Sequence, residues 1–239
     1  KDDESKHKAR IRLAFNELFL MQLRVLTRKR EWQEGPSAHQ IPKDDTLNKN
    51  FVKSLPFSLT SAQCRALDQI TSDLEESRPM ARLLQGDVGS GKTVVATGSI
   101  LQAISKGHQT AIMVPTEILA EQHFRTICNL LGSDPTTNSD KKALQTIDSL
   151  IKHPIKVGLL IGDMRQKAKK NVQDLIEKGD VDIVVGTHSL IQKDVVFRDL
   201  ALIVVDEQHR FGVMQRSALK GKAVNPHLLV MTATPIPRT

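Results

Sequence analysis

Gly86-Asp87-Val88-Gly89-Ser90-Gly91-Lys92-Thr93 follows the short apolar run Ala81–Gln85 and precedes Thr93–Ser105, whose composition is helical. The stretch fits G-x-x-x-x-G-K-[ST], and a strand before it and a helix after it are the context of a phosphate-binding loop. Glycines let the backbone wrap closely around phosphates, so that backbone N–H groups and the helix N-terminus face the negative charge. Lys92 can then reach the β- and γ-phosphates, and the Thr93 hydroxyl can ligate Mg²⁺. The alternative, a glycine turn with a purely structural role, does not explain this context.

Short apolar runs and helical stretches alternate on both sides of this loop. Val, Ile and Leu follow one another in these runs without polar alternation, which indicates strands buried on both faces. A parallel sheet covered by helices has this pattern, so we predict an α/β fold with a mostly parallel sheet. The predicted strands are Ala81–Gln85, Thr110–Val114, Lys156–Ile161, Asp182–Val185, Ala201–Val205 and His227–Met231, and the helices between them include Thr93–Ser105 and Glu117–Leu131.

The first part of the chain has a different pattern. Residues 8–30 carry apolar side chains at steps of three and four, which predicts an amphipathic helix that packs on a neighbouring domain. Residues 34–50 are polar and contain Gly35-Pro36 and Ile41-Pro42, which indicates a linker. We therefore predict a helical connector and linker over residues 1–54 and a folded lobe over residues 55–239.

Composition limits the classes of function. The chain has 239 residues and a net charge of +7, which suits a polyanionic partner, although a surplus of charge also serves solubility. It has one Trp and no Tyr, which argues against a base-stacking surface and favours contacts to a nucleic-acid backbone.

The first residues are charged and contain no Met, and no apolar run has the length of a membrane span. We expect a fragment of a protein of the bacterial cytoplasm or an organelle matrix, neither secreted nor membrane-bound.

The cysteines and histidines give no sign of a metal centre. Cys64 and Cys128 have no CxxC spacing, so we expect two reduced thiols. The eight histidines contain no HxxxH or HxH pair, and the spacing therefore predicts no zinc site.

Two acidic residues end an apolar run, and two hydroxyls end another. Asp206 and Glu207 follow Ala201–Val205, and an acid at the carboxyl end of a strand lies where open α/β sheets bind ligands. Asp206 would hold Mg²⁺ through water, while Glu207 would orient and deprotonate an attacking water. Thr232 and Thr234 follow the last run and would sense the γ-phosphate, although Thr is also an ordinary strand residue.

Together these blocks resemble superfamily 2 DNA helicases, in particular the RecG-type translocases of branched DNA, over residues 55–239. The resemblance implies a RecA-like lobe of an ATP-dependent DNA helicase that acts on forks and Holliday junctions in repair and recombination. Lys92, Asp206 and Glu207 would be its catalytic residues, with ATP and Mg²⁺ as cofactors. The strings that carry the resemblance are Leu55-Pro56-Phe57-Ser58-Leu59-Thr60-Ser61-Ala62-Gln63, Leu83-Leu84-Gln85-Gly86-Asp87-Val88, Pro115-Thr116-Glu117-Ile118-Leu119-Ala120, Val185-Gly186-Thr187-His188, Asp206-Glu207-Gln208-His209-Arg210-Phe211-Gly212-Val213 and Thr232-Ala233-Thr234-Pro235-Ile236-Pro237-Arg238-Thr239.

The resemblance also implies roles for individual residues. The ATP-binding set is Phe57, Thr60, Gln63, Gly86, Asp87, Val88, Gly89, Ser90, Gly91, Lys92 and Thr93, with Phe57, Thr60 and Gln63 on the adenine side. The DNA-backbone set is Pro115, Thr116, Glu117, Gly186, Thr187 and His188, and a looser match adds Gly162, Asp163 and Arg165. The set that couples the two sites is His209, Thr232 and Thr234.

The resemblance finally implies domains outside this chain. They are a fork-binding wedge domain upstream and a second RecA-like lobe with an arginine finger, so the chain alone should bind Mg-ATP weakly, hydrolyse it slowly and unwind nothing. The segment 132–154 is longer than the family usually has, which predicts a surface insertion. Independently of the resemblance, the residues Lys141–Lys152 predict a surface helix there.

Three other functions remain open. The motor lobe of a transcription-repair coupling factor shares much of the pattern, but Gln208 and the 55–63 string favour the RecG type. An RNA helicase is disfavoured by the 232–239 string. A non-catalytic nucleotide-dependent binding module is disfavoured by the intact set Lys92, Thr93, Asp206 and Glu207.

Overall fold

The computed structural model describes residues 2–33, 38–132, 143–148, 151, 153–206, 219, 221–223 and 225–233. Its contacts divide the chain into two compact units, Lys1–Pro36 and Ser37–Thr239. The elements in chain order are α1 (Asp2–Gln33), α2 (Asp45–Ser54), α3 (Ser61–Leu74), β1 (Ala81–Gln85), α4 (Lys92–Ser105), β2 (Gln109–Met113), α5 (Glu117–Leu130), β3 (Leu144–Ile147), β4 (Ile155–Leu160), α6 (Gln166–Lys178), β5 (Ile183–Gly186), the 3₁₀ helix η1 (His188–Ile191), β6 (Leu200–Asp206) and β7 (His227–Thr232).

The first unit contains α1, which confirms the helix predicted over residues 8–30 and extends it at both ends. The apolar side chains described between Ile11 and Leu26 are exposed, among them Phe15 and Phe19, whose rings stack with centroids 6.0 Å apart. None of the helices within the described ranges has both the length and the apolar character that crossing a membrane requires.

The second unit is built on a seven-stranded sheet in the order β1-β7-β6-β2-β5-β4-β3. Every neighbouring pair is parallel except β3 and β4, which are antiparallel. The α/β fold with a mostly parallel sheet is therefore confirmed, and each of the six predicted strands is found within one residue of its predicted ends.

Both faces of the sheet are covered, which explains the uninterrupted apolar runs. Along β6, Leu202 and Val204 belong to the core that the sheet forms with α2 to α5, whereas Ile203 and Val205 belong to the core with α6. Successive side chains of a strand point to opposite faces, so a strand between two helical layers needs apolar residues at every position. The strand β1 departs from this prediction, because it lies at the sheet edge and Leu83 is 44% exposed.

The prediction of an irregular linker up to residue 50 is wrong, because α2 begins at Asp45. Its first turn is capped by Asp44, whose Oδ1 accepts a hydrogen bond from the Leu47 backbone N–H at 2.9 Å. Leu47 and Phe51 are buried on one side of an otherwise polar helix. Packing of these two side chains stabilises a helix that the polar composition had concealed. The predicted division at residues 54 and 55 stays a prediction.

The prediction of a helix over Lys141–Lys152 is also wrong for the residues that the structure describes there. Leu144–Ile147 form β3, which pairs with β4 in the register Ile147 with Ile155. The edge of β4 offers unpaired backbone groups, and pairing with them buries Ile147 to 3% exposure. This tertiary contact outweighs the local helical pattern.

Candidate nucleotide-binding site

Strand register brings the phosphate-binding loop, Thr232 and Asp206 to one edge of the sheet. Gln85, the last residue of β1, pairs with Thr232 of β7, and Asp206 of β6 pairs with the preceding residue, Met231. The Gly86 backbone N–H then donates to the Thr232 carbonyl at 3.2 Å. Three motifs that are far apart in the sequence therefore meet at the carboxyl ends of adjacent parallel strands, where α/β sheets bind ligands.

Glycines shape the loop between β1 and α4. Gly89 and Gly91 have φ angles of 79° and 80°, in the left-handed region that favours glycine. Gly91 is also the residue before the first turn of α4, and a Cβ there would lie 2.3 Å from Gln63 Nε2. Because α4 begins directly at Lys92, the positive end of its dipole faces the loop, as anion binding requires.

Lys92 lies across this loop. Its Nζ donates to the carbonyls of Gly86 at 2.7 Å and Asp87 at 2.9 Å. These neutral acceptors can be exchanged for phosphate oxygens, which bind an ammonium more strongly because they are charged. Together with the glycine conformations and the helix N-terminus, this arrangement fits a nucleoside triphosphate.

Gln63 links α3 to the loop. Its Oε1 accepts from the Thr60 N–H at 2.7 Å, the Thr60 hydroxyl accepts from the Gln63 N–H at 3.2 Å, and Gln63 Nε2 donates to the Ser90 carbonyl at 2.9 Å. Both ends of the amide are therefore used in positioning the start of α3 against the loop. Phe57 is 48% exposed nearby in the sequence. Contacts of Phe57, Thr60 and Gln63 to adenine stay a prediction.

Asp206 has a partner that the motifs did not reveal. His123 of α5 lies with its Nε2 at 2.9 Å from Asp206 Oδ2, and the two side chains are 10% and 13% exposed. The interval of 83 residues hides this pair in the sequence. The sequence gives one indication that His123 is buried. It falls on the apolar face of α5 that includes Ala120, Phe124 and Ile127, where a polar side chain needs a partner.

Three predicted site residues lie outside the described residues: Glu207, His209 and Thr234. Their roles stay predictions. Within the described part, Thr232 is buried beside the phosphate-binding loop, and Thr93 is partly buried in the first turn of α4.

The loops after β2 and β4 meet through Glu117. Thr116 caps α5 by accepting from the Leu119 N–H at 3.3 Å. Glu117 Oε1 accepts from the backbone N–H groups of Gly162 at 2.8 Å and Asp163 at 3.1 Å. Glu117 therefore holds the loop after β4 beside the loop that contains Pro115, rather than presenting a free carboxylate.

The loop after β5 is closely packed. A Cβ on Gly186 would lie 2.3 Å from the Leu160 carbonyl, so no other residue fits there. Thr187 is 1% exposed, and neither its Oγ1 nor the Oγ of Ser189 has a hydrogen-bond partner among the described residues. His188, at the start of η1, is exposed. In this conformation His188, rather than the Thr187 hydroxyl, reaches the surface.

The fold and this site define a nucleotide-binding α/β lobe of the phosphate-loop type. The DEAD/DEAH box helicase family model matches residues 60–239, and the chain belongs to that family. Membership implies the use of a nucleotide, and it confirms the predicted resemblance to superfamily 2 helicases.

Two curated relatives show which members of the family the chain is similar to. The chain is 47% identical over 236 residues to "ATP-dependent DNA helicase RecG" of Thermotoga maritima, which covers 97% of this chain and 27% of that protein. It is 44% identical over 232 residues to the protein of the same name from Bacillus subtilis, with 97% and 31% covered. The chain thus spans less than a third of the length of these curated relatives. The predicted RecG-type resemblance is confirmed.

Solved structures agree with these relatives. "Structure of RecG bound to three-way DNA junction" matches with a TM-score of 0.74 and 43% identity, over 97% of this chain and 28% of that one. The UvsW helicase from bacteriophage T4 matches with a TM-score of 0.53 and 14% identity, over 83% of this chain and 62% of that one. The second match concerns the fold alone.

Proposed function

We propose that the chain is the ATP-binding motor lobe of a DNA helicase or translocase that acts on branched DNA in repair and recombination. The observation that carries the proposal is the meeting of the phosphate-binding loop, Thr232 and Asp206 at the same sheet edge as the loops after β2, β4 and β5. The relatives named ATP-dependent DNA helicase RecG, and the RecG structure bound to a three-way DNA junction, support DNA as the partner.

In the nucleotide half of this edge, the chain's own residues bind and orient. When ATP binds, the Lys92 ammonium exchanges its hydrogen bonds to the loop carbonyls for hydrogen bonds to phosphate oxygens. The loop N–H groups and the N-terminus of α4 bind the other phosphate oxygens. Thr93 and Asp206 are the groups that would hold Mg²⁺, which when bound neutralises charge on the phosphates. His123 keeps the Asp206 carboxylate in place, and Glu207 would accept a proton from the attacking water.

In the other half, β2, β5 and β4 supply the proposed DNA contacts. The proposed phosphate contacts come from backbone N–H groups and side-chain donors of Thr116, Gly186, Thr187 and His188, and they carry little sequence information. Pro115 has no N–H to donate, so it would contribute by shaping the loop after β2. Glu117 would act indirectly, by holding the loop of Gly162 and Asp163. The two halves are adjacent because β6 pairs with β2, so α5 connects a proposed DNA loop at Thr116 with Asp206 through His123.

We further propose that the lobe works within a longer protein, because the relatives are several times its length. A second RecA-like lobe would complete the ATP site and an upstream wedge domain would bind the fork. The bacterial relatives favour the bacterial cytoplasm as the compartment. They also favour this function over the motor of a transcription-repair coupling factor.

Equilibrium ATP binding to the chain tests the nucleotide half. Lys92→Ala removes charged hydrogen bonds worth about 1.5–3 kcal/mol each, so ATP affinity should fall by at least about 10-fold. Lys106→Ala is the matched control, because Lys106 is exposed at the other end of α4, about 20 Å away along the helix. Equal affinities of the two variants, or no saturable ATP binding by the unmodified chain, would contradict the proposed site.

A further inference from the structure

Three side chains from distant parts of the sequence meet at the amino ends of the strands, opposite the carboxyl ends that form the nucleotide site. His39 Nε2 lies 3.1 Å from Asp199 Oδ1, and His108 Nδ1 lies 2.7 Å from Asp199 Oδ2. The two imidazole rings are themselves in contact, with centroids 4.6 Å apart. One ligand atom from each of the three residues lies within 4.8 Å of the others.

The place of this cluster in the fold separates it from the nucleotide site. His108 directly precedes β2 and Asp199 directly precedes β6, and these neighbouring strands are parallel. Both residues therefore lie at the amino ends of the strands, whereas the phosphate-binding loop follows a carboxyl end. The proposed nucleotide site and the cluster therefore lie at opposite ends of the strands. Ligand binding by the cluster does not depend on the proposed function.

We propose that His39, His108 and Asp199 bind a divalent transition-metal ion of the zinc type, with water completing its coordination. Two imidazole nitrogens and one carboxylate oxygen suit Zn²⁺, Co²⁺ or Ni²⁺, whereas Mg²⁺ and Ca²⁺ prefer oxygen ligands alone. A tetrahedral ion with bonds of about 2.0 Å holds its ligand atoms about 3.3 Å apart. The distances of 3.1 Å to Asp199 Oδ1 and 2.7 Å to Asp199 Oδ2 involve different oxygens of the carboxylate. One ligand atom from each residue already lies within 4.8 Å of the others, so side-chain rotation would bring two nitrogens and one oxygen to the required separation.

The backbone of His39 is already held in place. Ala38 N–H donates to the Ser77 carbonyl at 2.9 Å, and His227 Nε2 donates to the His39 carbonyl at 2.7 Å. His227 Nδ1 accepts from the Met80 N–H at 3.0 Å, so both nitrogens of this buried ring are used. Because Nδ1 accepts from an N–H and Nε2 faces a carbonyl, the hydrogen bonds themselves fix the donor and acceptor nitrogens of this ring. His227 thus positions a ligand and is not one itself.

The Asp199 backbone is held by Gln109. The Gln109 N–H donates to the Asp199 carbonyl at 2.8 Å, and the Asp199 N–H donates to Gln109 Oε1 at 3.1 Å. Gln109 is 3% exposed, and its Nε2 donates to the carbonyls of Ile176 and Val181. Two of the three proposed ligands therefore have fixed backbones, so metal binding requires only small side-chain rotations.

The side chains leave a path for an ion. The side chain of Asp199 is 40% exposed, that of His39 31% and that of His108 18%. Without a metal, His39 Nε2–H and His108 Nδ1–H donate to the Asp199 carboxylate. With a metal, each ring carries its proton on the other nitrogen and turns a lone pair to the ion. The bound ion would fasten the segment that contains His39 to the amino edge of the sheet.

Zn²⁺ and Co²⁺ are the probes that test the site. The metal-free Cys64→Ser chain is the starting protein, because the exposed Cys64 thiol would compete for both ions. Calorimetric titration with Zn²⁺ in excess Mg²⁺ should give one ion per chain, and bound Co²⁺ should give a visible spectrum without thiolate bands. Loss of an outer-shell partner costs about 10–100-fold in metal affinity, so removal of a ligand in His39→Ala or His108→Ala should cost at least that much.

His153→Ala is the matched control, because His153 is exposed and lies outside the cluster. It should bind Zn²⁺ as the starting protein does. Absence of saturable Zn²⁺ binding, or equal binding by His39→Ala, His108→Ala and His153→Ala, overturns the proposal and leaves a hydrogen-bonded cluster. If circular dichroism shows that an alanine variant is unfolded, the Co²⁺ spectrum of the starting protein decides, since two imidazoles and a carboxylate give a different spectrum from water alone.

Discussion

Thr187→Val should make the chain more stable and weaken its binding to DNA. The Thr187 hydroxyl is buried and has no hydrogen-bond partner among the described residues. A buried polar group in this position requires an explanation, and we infer that the loop after β5 opens on DNA and turns the hydroxyl to a phosphate. Valine keeps the branched shape and removes the polar atom.

The size of both effects follows from this geometry. An unsatisfied buried hydroxyl costs about 1–3 kcal/mol, so Thr187→Val should raise the free energy of unfolding by about that amount. For a domain of this size the Tm should rise by about 2–12 °C. A hydrogen bond to a charged phosphate is worth about 1.5–3 kcal/mol, so affinity for forked DNA should fall by about 10–100-fold.

Urea unfolding and fluorescence anisotropy with labelled forked DNA measure the two effects. Thr71→Val is the matched control for stability, because Thr71 is equally buried but its Oγ1 donates to the Leu67 and Asp68 carbonyls at 3.0 Å. It should lower stability by about 0.5–1.5 kcal/mol. Because a neutral hydroxyl releases no counterions, the salt dependence of DNA binding should be the same in Thr187→Val as in the unmodified chain.

Two results would refute this reasoning. A loss of stability in Thr187→Val would mean that the hydroxyl has a partner in solution. Unchanged affinity for forked DNA would mean that the hydroxyl takes no part in binding and that the loop after β5 does not open.

Three further predictions concern the nucleotide site. Gln63→Glu keeps the acceptor for the Thr60 N–H but sets a carboxylate against the Ser90 carbonyl, so ATP affinity should fall about 10-fold in a binding titration with an unchanged circular dichroism spectrum. His123→Ala removes one hydrogen-bond partner of Asp206, so the Mg²⁺ needed for half-maximal ATP binding should rise about 10-fold. An unchanged Mg²⁺ requirement would contradict this role of His123. The 239-residue chain alone should hydrolyse ATP slowly, because the proposed second RecA-like lobe would complete the ATP site. Turnover near that of an intact motor, abolished by Lys92→Ala, would contradict the need for that lobe.

The local sequence pattern was sufficient to predict the strands that lie in apolar surroundings on both faces. The strands β2, β5 and β6 are buried on both faces, so their sequences are short, continuous apolar runs of strand length. The strand β3 has no such signal, because only the free edge of β4 makes it a strand. The helix α2 has a polar composition, and only its capping by Asp44 and the packing of Leu47 and Phe51 reveal it.

The same distinction applies to the site. The phosphate-binding loop and Asp206 could be predicted, because each lies in one contiguous stretch with known chemistry. The His123–Asp206 pair spans 83 residues, and the His108–Asp199 pair spans 91. No spacing rule covers such intervals, so only the order of the strands brings these side chains together.

The most direct test of the central claim is the Mg²⁺-dependent ATPase of the full-length protein that contains this chain, with forked DNA, linear single-stranded DNA and RNA as separate activators. We expect the strongest stimulation by forked DNA, and loss of that stimulation in Glu207→Gln, which keeps the shape of the side chain but removes the proposed base. Equal or greater stimulation by RNA, or none by any nucleic acid, would contradict a motor that acts on branched DNA.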